Sequence, residues 1–396
     1  MRTSVFPALL ALLLLGGCVS LPKARSIPCE AAPAPEVTIS GDGRTASVRL
    51  DVLTYNVEGL PKMTRSGRRD PLKEMGRHLA RLRGAGAAPQ VVMLQEVFSR
   101  RARNAVLAAG YPSLAPGPSA HHKPPRRARP ILPGRRNPRK GELGLKLASS
   151  GILIAAEYPF VERRSRPFRR GSCAGIDCLA NKGMALARMA IPGVPVPIDL
   201  YTTHMNSTGA SRVPERRHLA AHNKQAAEIA AWVAETSPAE SPILFGGDFN
   251  MRDSPDRFEH FIRLHRLRLV HVHCRERPRD CDVRMSWDGD EPWMDTQDLQ
   301  LFAPGSEVTV RPVRVEAMFD GSEGSPRLSD HHGFRVVYEI AWPVGLQPVA
   351  GACRAASVLR PSTSFVTPAK AGVHADFQPG SDPGMDASLR WHDDLG

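Results

Sequence analysis

Five short apolar runs, each ending in one or two polar side chains, constrain this chain of 396 residues more than any other feature. One such run would mean little, because a turn often follows a strand. Five in order supply what hard-cation coordination, water activation and neutralisation of phosphate charge require. The runs are 53–57, 94–97, 203–207, 246–250 and 328–333, and their polar residues include Asn56, Glu96, His204, Asp248, Asn250, Asp330 and His331.

The order of predicted strands and helices favours one architecture. Several strands between Gly151 and Thr203 follow one another without a helix, which indicates antiparallel pairing. A mixed α/β sandwich fits this order better than a purely parallel sheet. The predicted strands are 46–55, 91–95, 151–155, 185–190, 198–203, 243–246, 299–302, 308–315 and 334–340, and the predicted helices are 71–83, 99–109, 214–236 and 254–264.

The N-terminal residues are typical of a secretory signal. An apolar run from Val5 to Leu15 is too short to span a membrane comfortably and ends in Leu-Gly-Gly-Cys. This ending is similar to a bacterial lipobox, which implies removal of residues 1–17 and lipidation of Cys18; the alternative is an ordinary signal with an incidental cysteine. Val19, in place of aspartate, favours the outer membrane of a Gram-negative bacterium. Residues 18–45 are predicted to be a Pro/Ala-rich tether.

Six cysteines remain after Cys18, and an even number in an exported chain favours disulfides. The predicted local bridges join Cys173 to Cys178 and Cys274 to Cys281. Zinc is the alternative, but no histidine lies at ligand spacing within both pairs. Cys353 is expected to lack a native partner if residues 344–396 form the disordered tail that their Pro, Gly, Ser and Asp content predicts.

The formal net charge of +13 suggests anionic partners such as phospholipid or nucleic acid. Much of this charge lies in residues 121–140, which contain eight Lys or Arg and five Pro. Proline removes backbone donors and fixes φ, so this segment is predicted to be a basic loop. The loop either faces the substrate or projects into solvent without a role in substrate binding.

The run 246–250 and the pair before the last strand are the most specific elements. Asp248 and Asn250 are two residues apart and are predicted to point to one side, where they act on one phosphate and its attacking water. Asp330-His331 fits a general base, with His332 as the alternative. Asp298 is predicted to orient a catalytic histidine, and Asp295 competes for that role.

Glu96 ends a buried run, where a carboxylate is unusual unless it is paired or bound to metal. One or two carboxylates with the Asn56 amide suffice for Mg²⁺, or for another divalent cation such as Mn²⁺. His204 and Asn206 follow an apolar strand. Together with the Asp-His pair that is distant in sequence, they are candidates for donating hydrogen bonds to phosphate oxygens. Lys182 either neutralises a phosphate or is an ordinary surface charge, and the sequence favours neither explanation.

These motifs resemble the endonuclease/exonuclease/phosphatase superfamily with the DNase I-like fold, over about residues 48–342. The resemblance implies a four-layer α/β sandwich of two mixed β-sheets flanked by helices, within a catalytic domain at 46–343. By the same resemblance Glu96 holds the metal with Asn56 beside it, and Asp330 supports the metal site or the phosphate. Asp248 positions water, His331 is the base held by Asp298, and His204, Asn250, Asn206 and Lys182 bind or neutralise phosphate.

The branch of the superfamily is indicated by two features. Apurinic endonucleases usually have tyrosine at the position of His204, and Asn181-Lys182-Gly183 resembles the neutral sphingomyelinase pattern. We therefore expect a Mg²⁺-dependent, sphingomyelinase-like phospholipase C. The alternatives are an extracytoplasmic DNase I-like endonuclease and an inactive surface-binding lipoprotein. Trp287 and Trp293 could contact lipid or pack in the core. A monomer anchored to a membrane through Cys18 is expected.

Overall fold

A computed structural model describes residues 21–126, 131–285 and 298–353. All of them fall in one compact unit, Met1–Ala356. The strands are β1 Thr38–Ile39, β2 Thr45–Asn56, β3 Val91–Gln95, β4 Ser113–Pro116, β5 Leu153–Ala156, β6 Phe160–Pro167, β7 Gly183–Met189, β8 Ile198–His204, β9 Ile243–Asp248, β10 Arg268–Leu269, β11 Asp282–Arg284, β12 Asp298–Ala303, β13 Thr309–Met318 and β14 Gly333–Pro343. The α-helices are α1 Arg69–Gly84, α2 Arg100–Ala109, α3 Glu215–Thr236, α4 Pro255–Leu264 and α5 Val270–Glu276.

The strands form two mixed sheets. The first sheet has the order β11-β13-β14-β2-β3-β5-β4, with β1 paired to β2, and the second has the order β10-β12-β9-β8-β7-β6. Within the first sheet β2 runs parallel to β3, and within the second β8 runs parallel to β9. Their neighbours β5, β7 and β12 are antiparallel to them, as the absence of helices between several strands predicted.

Alternating side chains of β2 show why the sheets stack. Leu50 and Val52 are buried between the sheets, whereas Leu53 and Tyr55 pack on the helix side with residues of α1 and α2. Side chains of a strand alternate between its two faces, so a strand that is apolar on both faces must be covered on both. The second sheet packs on α3 and α4 in the same way. The predicted four-layer sandwich is confirmed.

All nine predicted strands and all four predicted helices are present, with boundaries shifted by a few residues. The sequence missed the short strands β1, β4, β10 and β11, the longer strand β6 and the helix α5. Half of the side chains of β6 are charged, Phe160-Val-Glu-Arg-Arg-Ser-Arg-Pro167, and β6 lies at the edge of the second sheet. An edge strand needs one apolar face at most, so hydrophobicity did not reveal it.

The predicted disulfides Cys173–Cys178 and Cys274–Cys281 are confirmed, and a third bridge joins Cys29 to Cys353. Cys353 therefore has a partner and is buried. Its carbonyl accepts a hydrogen bond from the Gly193 amide at 3.2 Å, so the segment 344–353 lies against the sandwich. The remainder of the predicted tail lies outside the described residues.

The segment that was predicted to be a tether also contacts the fold from residue 21 onward. Leu21 is buried beside the first sheet, and Arg25 exchanges backbone hydrogen bonds with Leu114 of β4. None of the helices in the described part of the chain is long and apolar enough to cross a bilayer.

Candidate active site

Strand topology brings the predicted polar residues to one edge of the sandwich. The parallel strands β2 and β3 end at Asn56 and just before Glu96, and β8 and β9 end at His204 and Asp248. In the second sheet His204 pairs in register with Asp248, and Asp248 pairs with Asp298 at the start of antiparallel β12. The loop before β14, which carries His331, reaches the same edge because β14 is antiparallel to β2.

Asp248 is the most heavily bonded residue of the site. One carboxylate oxygen accepts hydrogen bonds from the Asn250 amide nitrogen at 3.0 Å and from its Nδ2 at 2.9 Å. The other accepts a bond from Asn56 Nδ2 at 3.0 Å and lies 3.4 Å from His204 Nε2. Asp248 thus joins the ends of both sheets.

The backbone around Asp248 explains the two preceding glycines. A Cβ on Gly246 would lie 2.7 Å from Met93 Sδ in the facing sheet, and one on Gly247 would lie 2.5 Å from the Thr203 carbonyl oxygen. Close approach of the backbone therefore favours glycine here. Both glycines lie within β9 and make no bend. The chain turns instead at Asn250, whose φ is 52°.

His331 is held by Asp298. Its Nδ1 lies 3.0 Å from an Asp298 carboxylate oxygen, and the other oxygen accepts a hydrogen bond of 2.7 Å from the Asn56 backbone amide. Burial by itself would lower the pKa of His331. The charges of Asp298, Asp248 and Asp330, with the hydrogen bond to Asp298, outweigh it and raise the pKa to about 10. His331 therefore carries a proton at neutral pH in this structure.

His204 has the opposite electrostatic setting. Burial lowers its pKa to about 3, and the charge of Lys182 contributes in the same direction. The imidazole is therefore neutral at neutral pH. Its Nδ1 is buried and has no hydrogen-bond partner among the described residues. A buried polar atom in this state indicates a place for a water molecule or a substrate oxygen.

Glu96 lies where a cation would be expected. Its φ of 60° is in the left-handed region, directly after the buried strand β3. Burial raises the pKa of Glu96 to about 7, and the charge of Asp248 adds to this, while a hydrogen bond from Asn56 opposes it. A half-buried carboxylate beside another carboxylate and an amide is an oxygen-rich donor set, which suits a hard divalent cation.

A second group of possible metal ligands lies beside Glu96. One ligand atom each of Asp248, Asp298 and His331 lies within 4.8 Å of the others. The oxygens of Asp248 and Asp298 already accept bonds from Asn56, Asn250 and His331, as given above. We therefore favour Glu96, whose carboxylate makes fewer such bonds within the described residues, as the residue that would hold a cation.

Asp330 lies at the exposed rim. Its carboxylate accepts a hydrogen bond from Ser329 Oγ at 3.2 Å, and its amide nitrogen lies 3.3 Å from Glu58 Oε2. Its charge reaches His331, as the pKa of that histidine shows. A direct role of Asp330 in metal binding stays a prediction. His332 is the neighbouring alternative, and its role also stays a prediction.

Lys182 and Asn206 are both buried and connect the site to the loop closed by the Cys173–Cys178 disulfide. Lys182 Nζ forms an ion pair with Asp177 and donates a hydrogen bond of 2.9 Å to the Met205 carbonyl. Asn206 Oδ1 accepts a bond of 2.8 Å from the Ala174 amide, and its Nδ2 donates to the Ser207 carbonyl. Their contact with substrate stays a prediction, because these groups are engaged with the protein.

Sequence reasoning missed several residues that position the site. Arg257 is fully buried and donates hydrogen bonds to the carbonyls of Asn206 at 2.7 Å and Asn250 at 2.9 Å. Arg68 bridges the two loops of the first sheet, donating to the Val57 and Leu328 carbonyls. No local pattern marks an arginine for this role. Asp177 could have been suspected, as the one acid between two close cysteines.

Several sequence predictions lie outside the described residues. Besides the tail, they include removal of residues 1–17, lipidation of Cys18, the role of Asp295 as the alternative to Asp298, and the lipid-contact or core placement of Trp287 and Trp293.

Comparison with known proteins identifies one family by sequence. A model described as Endonuclease/Exonuclease/phosphatase family matches residues 53–331, a range that begins before Asn56 and ends at His331. No curated protein matches this chain.

Solved structures share the fold at low sequence identity. Sphingomyelinase C from Streptomyces griseocarneus is 19% identical with a TM-score of 0.51, covering 73% of this chain and 99% of that one. A beta toxin mutant from Staphylococcus aureus with bound magnesium ions is 16% identical (TM-score 0.49, 73% and 99% covered). TDP2 from D. rerio, complexed with a single-strand DNA product, is 16% identical (TM-score 0.46, 73% and 98% covered).

Proposed function

The chain belongs to the endonuclease/exonuclease/phosphatase family, and we propose that it is a divalent-metal-dependent phosphodiesterase that cleaves phospholipid diesters as a sphingomyelinase-like phospholipase C. The observation that carries the proposal is the arrangement around Asp248. This buried carboxylate lies between an asparagine, a neutral histidine and an Asp–His pair, at one edge of both sheets.

Glu96 would hold the cation, with the Asn56 amide beside it. Mg²⁺ or Mn²⁺ bound there would supply positive charge to the phosphate oxygens and the leaving oxygen. Mg²⁺ keeps most of its water ligands, so few protein ligands suffice. Protonation of Glu96, whose pKa is raised to about 7, would compete with binding, and metal affinity is therefore expected to increase with pH up to about 7.

We propose that Asp248 orients an attacking water, and three hydrogen-bond donors, from Asn250 and Asn56, fix its oxygens. The protonated state of His331 changes its predicted role. A protonated imidazole cannot accept the proton of water, so we propose that His331 enters the reaction as a cation that neutralises charge on the phosphate or donates a proton. It would act as the predicted base only where cation binding nearby releases that proton.

Asn250 and His204 are proposed to bind the phosphate. Asn250 follows Asp248 at a turn, with its side chain fixed by Asp248 and the Met205 carbonyl. The unpartnered Nδ1 of neutral His204 would gain a hydrogen-bond partner when substrate or water is bound. In-line attack on a phosphodiester needs this positioning and charge neutralisation more than it needs covalent chemistry.

Three features support a lipid as the substrate: His204 at a position where apurinic endonucleases usually have tyrosine, the Asn181-Lys182-Gly183 pattern, and the proposed export of the chain. Export is supported by the three disulfides, which persist in oxidising compartments. Lipidation of Cys18 and residence in the outer membrane remain part of the proposal. The alternative substrate is DNA, which the net charge of +13 favours.

The test compares hydrolysis of sphingomyelin vesicles, of phosphatidylcholine vesicles and of plasmid DNA by the purified chain, with Mg²⁺ and with EDTA. We expect release of a phosphorylated head group from lipid that stops in EDTA. Cleavage of DNA without lipid turnover would establish the endonuclease instead. Turnover of neither, with Mg²⁺ or Mn²⁺, would leave an inactive surface-binding lipoprotein as the best description.

A further inference from the structure

Two long loops leave the sandwich at the same edge as the site residues. The first runs from the end of β4 to the start of β5, and the second runs from the end of β6 to the start of β7. Strand β5 is antiparallel to β3, and β7 is antiparallel to β8, so the starts of β5 and β7 lie beside Glu96 and His204. Whatever surface these loops form therefore adjoins the candidate active site.

The two loops expose large apolar side chains beside one another. Ile131 is 89% exposed and Leu145 is 64% exposed, and Leu143 and Ile176 are also exposed. Ile131 and Leu143 line one cavity of about 410 Å³ together with the Cys173–Cys178 disulfide. Ile176 lies against Gly141, where an added Cβ would be 2.9 Å from its Cα. We call Ile131, Leu143, Leu145 and Ile176 the apolar surface.

The apolar surface is held in place by buried ion pairs. Arg217 donates hydrogen bonds of 2.8 Å to both oxygens of Glu142 and one of 2.7 Å to the Pro133 carbonyl. Glu142 also accepts a bond of 3.0 Å from the Gly175 amide in the second loop. Pro133, Glu142 and Gly175, which lie close in sequence to Ile131, Leu143 and Ile176, are therefore joined by hydrogen bonds.

The charges around the apolar surface are positive. The two acids of these loops nearest to it are neutralised, Glu142 by Arg217 and Asp177 by Lys182. Exposed bases lie in the same two loops, and none of them has an acid of the described residues within ion-pair distance. These bases are Arg135, Arg139, Lys140 and Arg170, of which Arg170 also lines the cavity.

We propose that the apolar surface and its surrounding bases dock this protein on an anionic lipid bilayer. Aliphatic side chains at the tip of loops insert at the acyl boundary, and basic side chains next to them pair with lipid phosphates. Exposed apolar patches rimmed by polar residues are typical of interaction sites. A nucleic acid would use the bases but gives no reason to expose Ile131 and Leu145.

Docking through this surface turns the candidate active site toward the bilayer. The disulfide-closed loop that presents Ile176 also holds Asp177, which pairs with Lys182 beside His204. The proposal rests on the proposed function only for the identity of the substrate in that bilayer. The binding step is independent of catalysis and can be measured without it.

The test uses the full chain carrying Cys18→Ser, so that a lipid anchor at this position cannot supply the binding. Its partition onto vesicles of phosphatidylcholine and phosphatidylglycerol in equal parts is measured by sedimentation, with EDTA to prevent turnover. We expect Ile131→Ser/Leu145→Ser to weaken the partition by about tenfold or more, because two buried aliphatic side chains are lost. Arg135→Gln/Arg139→Gln should weaken the partition by about fivefold per charge on these anionic vesicles, and should not change it on vesicles of phosphatidylcholine alone.

A matched control is available at the other end of the sandwich. Ile39 and Val344 are each 51% exposed and lie near the start of β2 and the end of β14, opposite the site. Ile39→Ser/Val344→Ser should bind vesicles as the parent does. Hydrolysis of the soluble diester bis(p-nitrophenyl) phosphate should be the same in the parent and in all three double variants, which reports that the variants are folded.

The outcomes separate this proposal from the proposed function. Unchanged vesicle binding by Ile131→Ser/Leu145→Ser would overturn the docking surface, whatever the enzyme cleaves. Loss of DNA retention in the basic variant, without loss of vesicle binding, would assign the surface to nucleic acid instead. Vesicle binding that depends on Ile131 and Leu145, in a parent that cleaves no lipid, would support the surface and refute the substrate.

Discussion

Individual residues of the site differ in protonation because their immediate neighbours differ. His204 and His331 lie at the same edge, yet burial lowers the pKa of one to about 3 and three carboxylates raise the pKa of the other to about 10. The sequence marks both as candidate catalytic histidines. Their different surroundings are the basis of the neutral hydrogen-bonding role proposed for His204 and of the charged role proposed for His331.

Asp248→Asn tests the central carboxylate. The change keeps the shape of the side chain but removes the negative charge that we propose orients water, on a carboxylate that accepts bonds from Asn56 and Asn250. We expect kcat to decrease by about 10²- to 10⁴-fold, the range typical of acid–base groups, with little change in far-UV circular dichroism. Asp253→Asn is the control, because Asp253 is exposed and its φ of 53° suits asparagine. Equal activity of Asp248→Asn and the parent would refute the assigned site.

The pair formed by His331 and Asp298 predicts a pH dependence of stability. Because the pKa of His331 is raised, the stabilisation from its charged form is fully present below the ordinary pKa of about 6.5 and is lost as pH rises through about 10. The difference in unfolding free energy between the parent and His331→Gln should therefore be largest near pH 6 and smallest near pH 10. Urea titrations at both pH values measure it.

Direct observation of the His331 imidazole by NMR is the complementary measurement. Asp298→Asn should move its titration midpoint down toward the ordinary value, because the nearest negative charge is removed. Asp253→Asn should leave it where it is. A midpoint near 6.5 already in the parent would contradict the charged role and restore His331 as the general base.

At the scale of elements, strand ends create the site and the two long loops support it. Asn56, Glu96, His204 and Asp248 could be predicted as neighbours because each follows an apolar strand and parallel strands end at one edge. Asp177, Glu142, Arg217 and Arg257 could not be, because their partners are distant in sequence and carry no local pattern. The ion pair between Glu142 and Arg217, for example, spans a sequence separation of 75 residues.

The loop closed by Cys173–Cys178 is predicted to act on catalysis through Lys182. Cys173→Ser/Cys178→Ser should lower kcat by roughly tenfold, because Asp177 would no longer hold Lys182 against the Met205 carbonyl. The cost in unfolding free energy should be about 2 kcal/mol, as expected for a short loop.

The Cys274–Cys281 bridge gives a matched control for this loop. Its sequence separation is 7, against 5 for Cys173–Cys178, so its removal should cost a similar free energy of unfolding. No hydrogen bond among the described residues joins it to the site, and activity should be retained. If both double variants lose activity equally, the effect is one of stability and not of Lys182.

At the scale of the whole molecule, the bridge between Cys29 and Cys353 ties the two ends of the described chain together. Their sequence separation is 324, and a longer loop means a larger loss of unfolded-state entropy. Cys29→Ser/Cys353→Ser should lower the unfolding free energy by up to about 5 kcal/mol in the chain-entropy model, more than either short bridge. Urea unfolding of the three double variants under oxidising conditions ranks them. A cost no greater than that of the short bridges would show that this closure contributes little.

The sequence alone determined the layered fold and which polar residues follow the apolar strands. Alternation and apolar runs specify which residues form strands, and strands that are apolar on both faces require a sandwich covered by helices. The polar residue after each run then has to lie at a sheet edge. Both inferences rest on local order along the chain, which the sequence contains in full.

Only the tertiary structure indicated the protonation states of His204 and His331, the cysteine that pairs with Cys353, and the loops that meet beside the site. These properties depend on distances between residues far apart in sequence. Desolvation and Coulomb energies change steeply over a few ångströms, and no local pattern encodes such distances. The exposure of Ile131 and Leu145 likewise appears only in the structure, in loops joined by the Glu142–Arg217 ion pair and by the Gly175–Glu142 hydrogen bond.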